Sequence, residues 1–281
     1  MSNMSKLLSV NNHDRDAVGL TYVYPVISRR AGGVSLGINL SPNNACNWQC
    51  VYCQVPNLSK GVSPIVDLKL LSQELDDFLT ELVLGDYMEK YVPASCQTLQ
   101  DLAISGNGEP TTCPNFAEGV GVVTGLMKKY ALNIPLRLIT NGSSVHKKDV
   151  QQGLKLMATQ QGEVWFKVDA VGKQRTQAIN QVSLSPEWQA KQLRLTTQAC
   201  PTWLQTCVLQ PQSQDANYMD DYVAWLGGCL HDGIKLEGVL LYSLARPSMQ
   251  QGGDMLQAAS QAEMQDFAEK IESLGLSVKV S

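Results

Sequence analysis

Three cysteines fall within one short stretch, SPNNACNWQCVYCQVP, at positions 46, 50 and 53. The chain has eight cysteines, and the other five (Cys96, Cys113, Cys200, Cys207 and Cys229) show no comparable grouping and read as core residues. Positions i, i+4 and i+7 share one face of a helix, so a buried apolar stripe is the plainest account of the cluster. Pro42, Asn43, Asn44 and Asn47 on one side and Pro56 on the other favour a loop instead. Asn47 and Gln49 also interrupt the apolar surroundings that a core stripe wants. Thiolates crowded together where thiols stay reduced select zinc or iron–sulfur chemistry. Structural zinc wants four ligands, and the paired Cys-x2-Cys half-sites are missing; a distant cysteine, His146 or His231 would have to complete such a site. Cys46, Cys50 and Cys53 alone would leave one iron of a [4Fe–4S] cluster open to an outside ligand. A straight helix would spread the outer two Cα atoms by about 10 Å, whereas a loop can fold all three sulfurs around one cluster.

Four further stretches carry polar groups where a site could form. In AISGNGEPTT, Gly106 and Gly108 let backbone approach a ligand, Asn107 lies between them, and Glu109 supplies a carboxylate. In LRLITNGSS, Thr140 and Asn141 offer a hydroxyl and an amide to a ribose or carboxylate, although an ordinary Asn-Gly turn would have the same residues. VWFKVDAV puts Lys167 and Asp169 on one face of a strand, and charges in such an apolar run are rarely buried unless paired or functional. In GVLLYSLARPSMQ, Tyr242 and Arg246 follow the last long apolar run, where the guanidinium could clamp a carboxylate or phosphate.

The elements that must position these groups alternate. β-rich runs cover 34–40, 102–106, 136–141, 164–171, 203–209 and 236–243. Between them, 68–91, 116–130, 145–157, 216–226 and 259–274 keep helical spacing, with Asn115 as a cap and Ser260 with Glu263 as a capping box. Apolar strands separated by helices imply an α/β fold of parallel strands covered on the outside, either a partial (β/α)6 barrel or an open doubly wound sheet. In both, chemistry gathers at the C-terminal strand ends, where every group named above lies. Residues 22–29 with Gly32 and Gly33 read as an added strand and turn at the bottom or edge, and 278–280 as a final short strand. The domain reading is an N-terminal extension over 1–33 and one domain over 34–281.

With 281 residues, 44% apolar and 17% charged, the chain is no disordered or fibrous sequence. A net charge of −4 gives no support for wholesale nucleic-acid binding. Arg29-Arg30, Lys128-Lys129 and Lys147-Lys148 read as solvated surface, and His13, His146 and His231 have no motif context. No apolar run is long enough for a transmembrane helix, and MSNMSKLLSV is too short an apolar stretch for a signal peptide, so a cytoplasmic protein is expected.

Cys-x3-Cys-x2-Cys with Tyr52 before the third cysteine resembles the signature of the radical S-adenosylmethionine (SAM) superfamily. The resemblance implies a partial TIM-type barrel with a [4Fe–4S] cluster on Cys46, Cys50 and Cys53. SAM would bind the open iron and be cleaved reductively to a 5′-deoxyadenosyl radical that abstracts hydrogen from a substrate. It further implies that Gly106, Asn107, Gly108 and Glu109 hold the SAM ammonium; Asn107 replaces the second glycine of the commonest form of that motif. Thr140, Asn141 and Asp169 are implied SAM contacts, and Tyr52 is implied to lie near the adenine. Lys167, Tyr242 and Arg246 are the candidate substrate contacts, and a flavodoxin- or ferredoxin-like protein the implied electron donor. SLGINLSP, GNGEPT, KVDA and the ARP ending are similar to the bacterial relatives of the wyosine-type tRNA-modifying branch. That branch carries extra N-terminal cysteines in archaea, and none precedes Cys46 here. A protein-activating radical SAM enzyme, a four-cysteine electron carrier and a zinc-binding module are the alternative readings.

Overall fold

The computed structural model describes residues 8, 18–28, 32–210, 215 and 217–281. His13, the Arg29-Arg30 pair and most of the 1–33 segment lie outside the described residues.

The strands are β1 (Val23–Ser28), β2 (Gly33–Asn39), β3 (Ala45–Cys46), β4 (Ser59–Lys60), β5 (Leu99–Ser105), β6 (Leu136–Thr140), β7 (Gly162–Lys167), β8 (Thr202–Cys207), β9 (Gly238–Tyr242) and β10 (Val278–Val280). Eight of them form one sheet in the order β1-β2-β5-β6-β7-β8-β9-β10, with β1 antiparallel to β2 and every other pair parallel. The end strands β1 and β10 are not neighbours in that order, so the sheet is not closed. This is the α/β partial barrel expected, and the added strand before residue 34 takes the edge position.

The helices are α1 (Leu68–Val83), α2 (Tyr87–Tyr91), α3 (Phe116–Lys129), α4 (Lys148–Ala158), α5 (Lys173–Asn180), α6 (Pro186–Thr197), α7 (Tyr218–His231) and α8 (Gln261–Glu272). They cover the outer face of the sheet, where Leu36, Ile38, Leu102 and Ile104 are buried in one core with Leu71, Leu75, Phe116 and Val120. Strand side chains alternate between faces, and the inner face is far more polar than apolar runs would suggest. Ser35, Gly37 and Asn39 of β2, and Asp101 and Ser105 of β5, line an interior cavity. Inside it Asp101 accepts hydrogen bonds from Ser35 and Arg137, and Arg137 Nε reaches Glu163 Oε1 at 2.6 Å. Gly37 is obligatory there: a Cβ would stand 2.1 Å from the Tyr24 ring, which lies across it.

The helical run 68–91 is not one helix. α1 begins where the Asp67 carboxylate caps the N–H groups of Lys69 and Leu70 at 3.0 Å, and it ends where Leu84 and Gly85 both donate to the Thr80 carbonyl. Asn115 occupies the position before α3 without capping it. Its side-chain amide pairs instead with the backbone of Val66, accepting at 2.9 Å and donating at 3.0 Å. The capping box at Ser260 and Glu263 is formed at the start of α8. α5 and α6 complete the crossover between β7 and β8, α6 opening on Ser185 with Pro186 in its first turn.

Candidate active site

The three cysteines lie in the loop between β2 and α1, as the prolines and asparagines require. Asn44 takes a left-handed conformation at φ 53°, and β3 pairs with β4 to close the loop's base. The loop is held from three sides. On the first, Asn47 Nδ2 donates to Ser143 Oγ at 2.6 Å, and Asn141 Nδ2 donates to Asn47 Oδ1 at 2.9 Å. On the second, Val51 N–H reaches the Ile179 carbonyl at 2.9 Å, and Asn180 Nδ2 donates to Cys50 Sγ at 3.2 Å. On the third, a strap after β9 bonds the loop's backbone: Ser248 Oγ to the Val51 carbonyl at 2.7 Å, Met249 N–H to the Cys53 carbonyl at 2.9 Å, and Gln250 Nε2 to the Val55 carbonyl at 2.9 Å. Asn180, Ser248 and Gln250 escaped sequence reasoning, and Asn47 was read only as a loop former; Asn47 lies beside a cysteine in the chain, whereas the others come from 90 residues or more downstream.

The turn after β5 packs onto this loop. A Cβ on Gly108 would stand 2.0 Å from the Ala45 carbonyl oxygen, and one on Gly106, at φ 144°, would stand 2.3 Å from Asn39 Oδ1. Asn107 spans the same junction, its Nδ2 donating to Asn44 Oδ1 at 2.7 Å. Glu109 is buried, and its Oε1 accepts from Thr111 N–H at 3.0 Å and Thr140 Oγ1 at 2.6 Å. Its Oε2 accepts from Asn141 N–H at 2.7 Å. Burial raises the Glu109 carboxyl above its ordinary value, opposed by these hydrogen bonds. Thr140 and Asn141 thus serve first to hold Glu109 and the cysteine loop.

Across the cavity, Lys167 Nζ donates to Tyr242 Oη at 2.9 Å and lies 5.0 Å from the centroid of the Tyr52 ring and 5.5 Å from that of Tyr242. Asp169 Oδ1 is 3.8 Å from Lys167 Nζ. Burial opposes the charge on Lys167, but Asp169 and Tyr242 outweigh it and hold the ammonium above the ordinary lysine range. Tyr52 donates its hydroxyl to Asp169 Oδ2, which also accepts from Asn180 Nδ2 at 2.7 Å, while Asp169 Oδ1 accepts from Cys207 N–H at 2.9 Å. Arg246 accepts at its carbonyl from Gln54 Nε2 at 3.2 Å.

One cavity of about 1160 Å³ joins these groups. Its walls include Cys46, Cys50, Cys53, Tyr52, Gly106, Asn107, Gly108, Glu109, Thr140, Asn141, Lys167, Tyr242 and Arg246. Of the residues singled out in the sequence, Asp169 alone does not border it: it sits behind Tyr52 with its carboxylate taken up by the chain. Trp48 borders it too, as does Cys207, a core residue that reaches the cavity from β8.

The residues suit an iron–sulfur cluster better than a single ion. Among the described residues, no three His, Cys, Asp or Glu side chains converge as a lone metal ion needs. A cubane instead takes each thiolate on a separate iron, and Cys46, Cys50 and Cys53 border one shared space of ample size. Burial, with Glu109 next in effect, pushes the Cys46 thiol up to about 12, and burial with Asp169 does the same for Cys50. The Cys46 and Cys50 thiols are therefore protonated at neutral pH, and any metal they bind would have to displace those protons.

The fold is that of the radical SAM enzymes. The chain superposes on a radical SAM methyltransferase from Sphaerobacter thermophilus with a TM-score of 0.60 at 12% identity, covering 92% of this chain and 68% of that one. It superposes on TYW1 with a lysine–pyruvate adduct bound with a TM-score of 0.55 at 13% identity, covering 85% and 73%. In sequence it is similar to a UPF0026 protein of Helicobacter pylori, 28% identical over 134 residues. That match takes in 47% of this chain and only 38% of the relative. No family model matches the chain. The resemblance read from the cysteine loop therefore holds at the level of fold, which this chain shares with solved radical SAM structures that include TYW1. Among the described residues, no helix is long and apolar enough to cross a membrane.

Proposed function

We propose that this chain is a radical SAM enzyme whose cluster is held by Cys46, Cys50 and Cys53. A single observation carries the reading: the three cysteines and the Gly106 to Glu109 turn wall the same cavity and touch through Gly108 and Ala45. When bound, the reduced cluster supplies the electron that splits SAM into methionine and a 5′-deoxyadenosyl radical able to attack an unactivated C–H bond.

The chain's own residues provide the setting. Gly106 and Gly108 bring backbone close to the cysteine loop, which side chains there would prevent. Glu109, held by Thr111, Thr140 and Asn141, is a fixed acceptor for the SAM ammonium. Trp48 and Tyr52 wall the cysteine side and limit water. Lys167, Tyr242 and Arg246 face the remaining space as substrate contacts. A small reducing protein of flavodoxin or ferredoxin type would donate the electron. An acidic chain favours a small metabolite over tRNA as substrate. The test is to reconstitute the chain anaerobically, reduce it and add SAM: 5′-deoxyadenosine forms with the native chain and not with Cys50→Ala. Reconstituted protein that binds four irons yet releases no deoxyadenosine contradicts the reading.

A further inference from the structure

The segment between the cysteine loop and α1 is anchored inward and exposed outward. Both residues of β4 are exposed, and Lys60 is the register partner of Cys46 on β3. Adjacent strands lie about 4.8 Å apart, so one two-residue strand stands between the Cys46 backbone and solvent on that side. Gly61 N–H donates to the Cys46 carbonyl at 2.9 Å. Two residues further on, Ser63 is buried and its hydroxyl donates to the Glu109 carbonyl at 3.1 Å, while its N–H donates to Thr112 Oγ1 at 2.9 Å. Val66 N–H then donates to Asn115 Oδ1 at 2.9 Å. One short segment is thus bonded both to the first cysteine and to the turn that carries Glu109.

Between these anchors the side chains point away from the cavity, and neither Lys60, Val62 nor Ile65 borders it. Val62 is 59% exposed and Ile65 72%, and Leu70 in the first turn of α1 is exposed as well. Among the described residues eight large apolar side chains are exposed, and three of them fall within 62–70. Single exposed apolar residues are ordinary, but a concentration held on fixed backbone marks a contact surface. Its charge is also distinct from that of the chain. Lys60 and Lys69 are exposed there, and the one carboxylate of the stretch, Asp67, caps α1. The chain as a whole carries −4.

We propose that residues 59–70 are the docking surface for the electron donor, and that the donor is a small acidic protein carrying a flavin mononucleotide. The exposed ring edge of such a flavin is apolar and fits against Val62 and Ile65, while the acidic surface around it faces Lys60 and Lys69. An iron–sulfur carrier offers the charge without the apolar edge. The donor gives up one electron, which the bound cluster takes in passing from its 2+ to its 1+ state, and no bond is made or broken. Gly61 N–H on the Cys46 carbonyl gives that electron a route of one hydrogen bond from the surface to a residue that holds the cluster. The proposal names the partner of the function given above and rests on that reading for its purpose, but docking is measured apart from SAM cleavage.

Calorimetric titration of the reconstituted full-length chain with a bacterial flavodoxin is the test. The native chain binds it, and the affinity falls as salt rises. Lys60→Glu and Ile65→Asp each weaken binding at least about tenfold. Leu84→Asp, equally exposed but beyond the far end of α1, leaves it unchanged. Absence of binding to the native chain, an affinity that both docking variants leave intact, a ferredoxin bound as tightly through the same residues, or a dimer of this chain that Ile65→Asp dissociates overturns the proposal. Deoxyadenosine formation driven by dithionite, which needs no carrier, is read separately on the native chain, so the two proposals fail by different measurements.

Discussion

Gly108 meets the carbonyl of Ala45 so closely that a Cβ on the glycine would stand 2.0 Å from that oxygen. The residue before the first cysteine and the turn after β5 are therefore one packed unit, with Asn107 and Asn44 bonded beside it. Gly108→Ala forces backbone apart at the junction, because the opposing atom is a carbonyl and no flexible side-chain end can give way. The expected cost is about 1–3 kcal/mol of stability. Thermal unfolding reads that loss, and iron bound per chain after reconstitution falls with it. Gly125→Ala, on the exposed face of α3 with nothing within 4 Å of the added Cβ, is the control: it raises stability by roughly 0.5–1 kcal/mol and leaves the iron content unchanged.

Cys207 borders the same cavity as the three loop cysteines, yet it belongs to β8 and its backbone is engaged by Asp169. Cys207→Ala should keep the full iron content of the native chain, whereas Cys46→Ala, Cys50→Ala or Cys53→Ala should each lose most of it. Iron and sulfide analysis after desalting decides the matter. Loss of iron in Cys207→Ala would make this a four-thiolate cluster and remove the open coordination site.

Ser248 and Gln250 in the strap after β9 should matter to the cluster through the backbone they hold. Ser248 Oγ and Gln250 Nε2 bond the carbonyls of Val51 and Val55 on either side of Cys53. Removing both bonds with Ser248→Ala and Gln250→Leu costs roughly 1–3 kcal/mol of local order. Iron transfer to an added chelator then speeds up by about tenfold or more, while overall unfolding temperature moves little. An unchanged rate of iron loss contradicts a positioning role for the strap.

Lys167 carries a sign-specific pH signature. Its pKa is raised by Asp169 and Tyr242 against the effect of burial, so its contribution to stability is complete below the unfolded value of 10.5 and is lost only as pH rises through the higher folded value. The stability difference between the native chain and Lys167→Met is therefore constant between about pH 6 and 9. Urea unfolding at several pH values measures it. A native chain that gains stability relative to Lys167→Met as pH rises within that window would mean a lowered pKa, and hence a neutral amine in the cavity.

The positions of the six inner strands were legible because each is a short apolar run bounded by turn residues, and the capping box at Ser260 and Glu263 was legible because both partners are local. The break after α1 was harder to see, since Leu84 continues the apolar pattern and only Gly85 and Asp86 interrupt it. α5 and α6 were missed: α5 lacks a clear apolar face, and the Ser185-Pro186 start of α6 went unread because the helix behind it has only a weak apolar stripe. Within the site, the cysteines and the GNGE turn were legible from type and spacing. The polar inner face was masked because inward residues such as Ser35 and Asp101 are single interruptions in strands whose outer face is wholly apolar. Asn180 on Cys50 and Gln250 at the loop's far side could not be read at all, since contacts across 130 and 195 residues leave no periodic trace.

The central claim is that the three thiolates leave one iron for SAM to bind. The most direct measurement is the electron paramagnetic resonance spectrum of the anaerobically reconstituted, reduced chain, recorded with and without SAM. The account predicts a [4Fe–4S]⁺ signal whose shape and g-values change when SAM is added, with the change absent in a Gly108→Ala chain that still holds iron. A cluster signal that SAM leaves untouched in the native chain would contradict it.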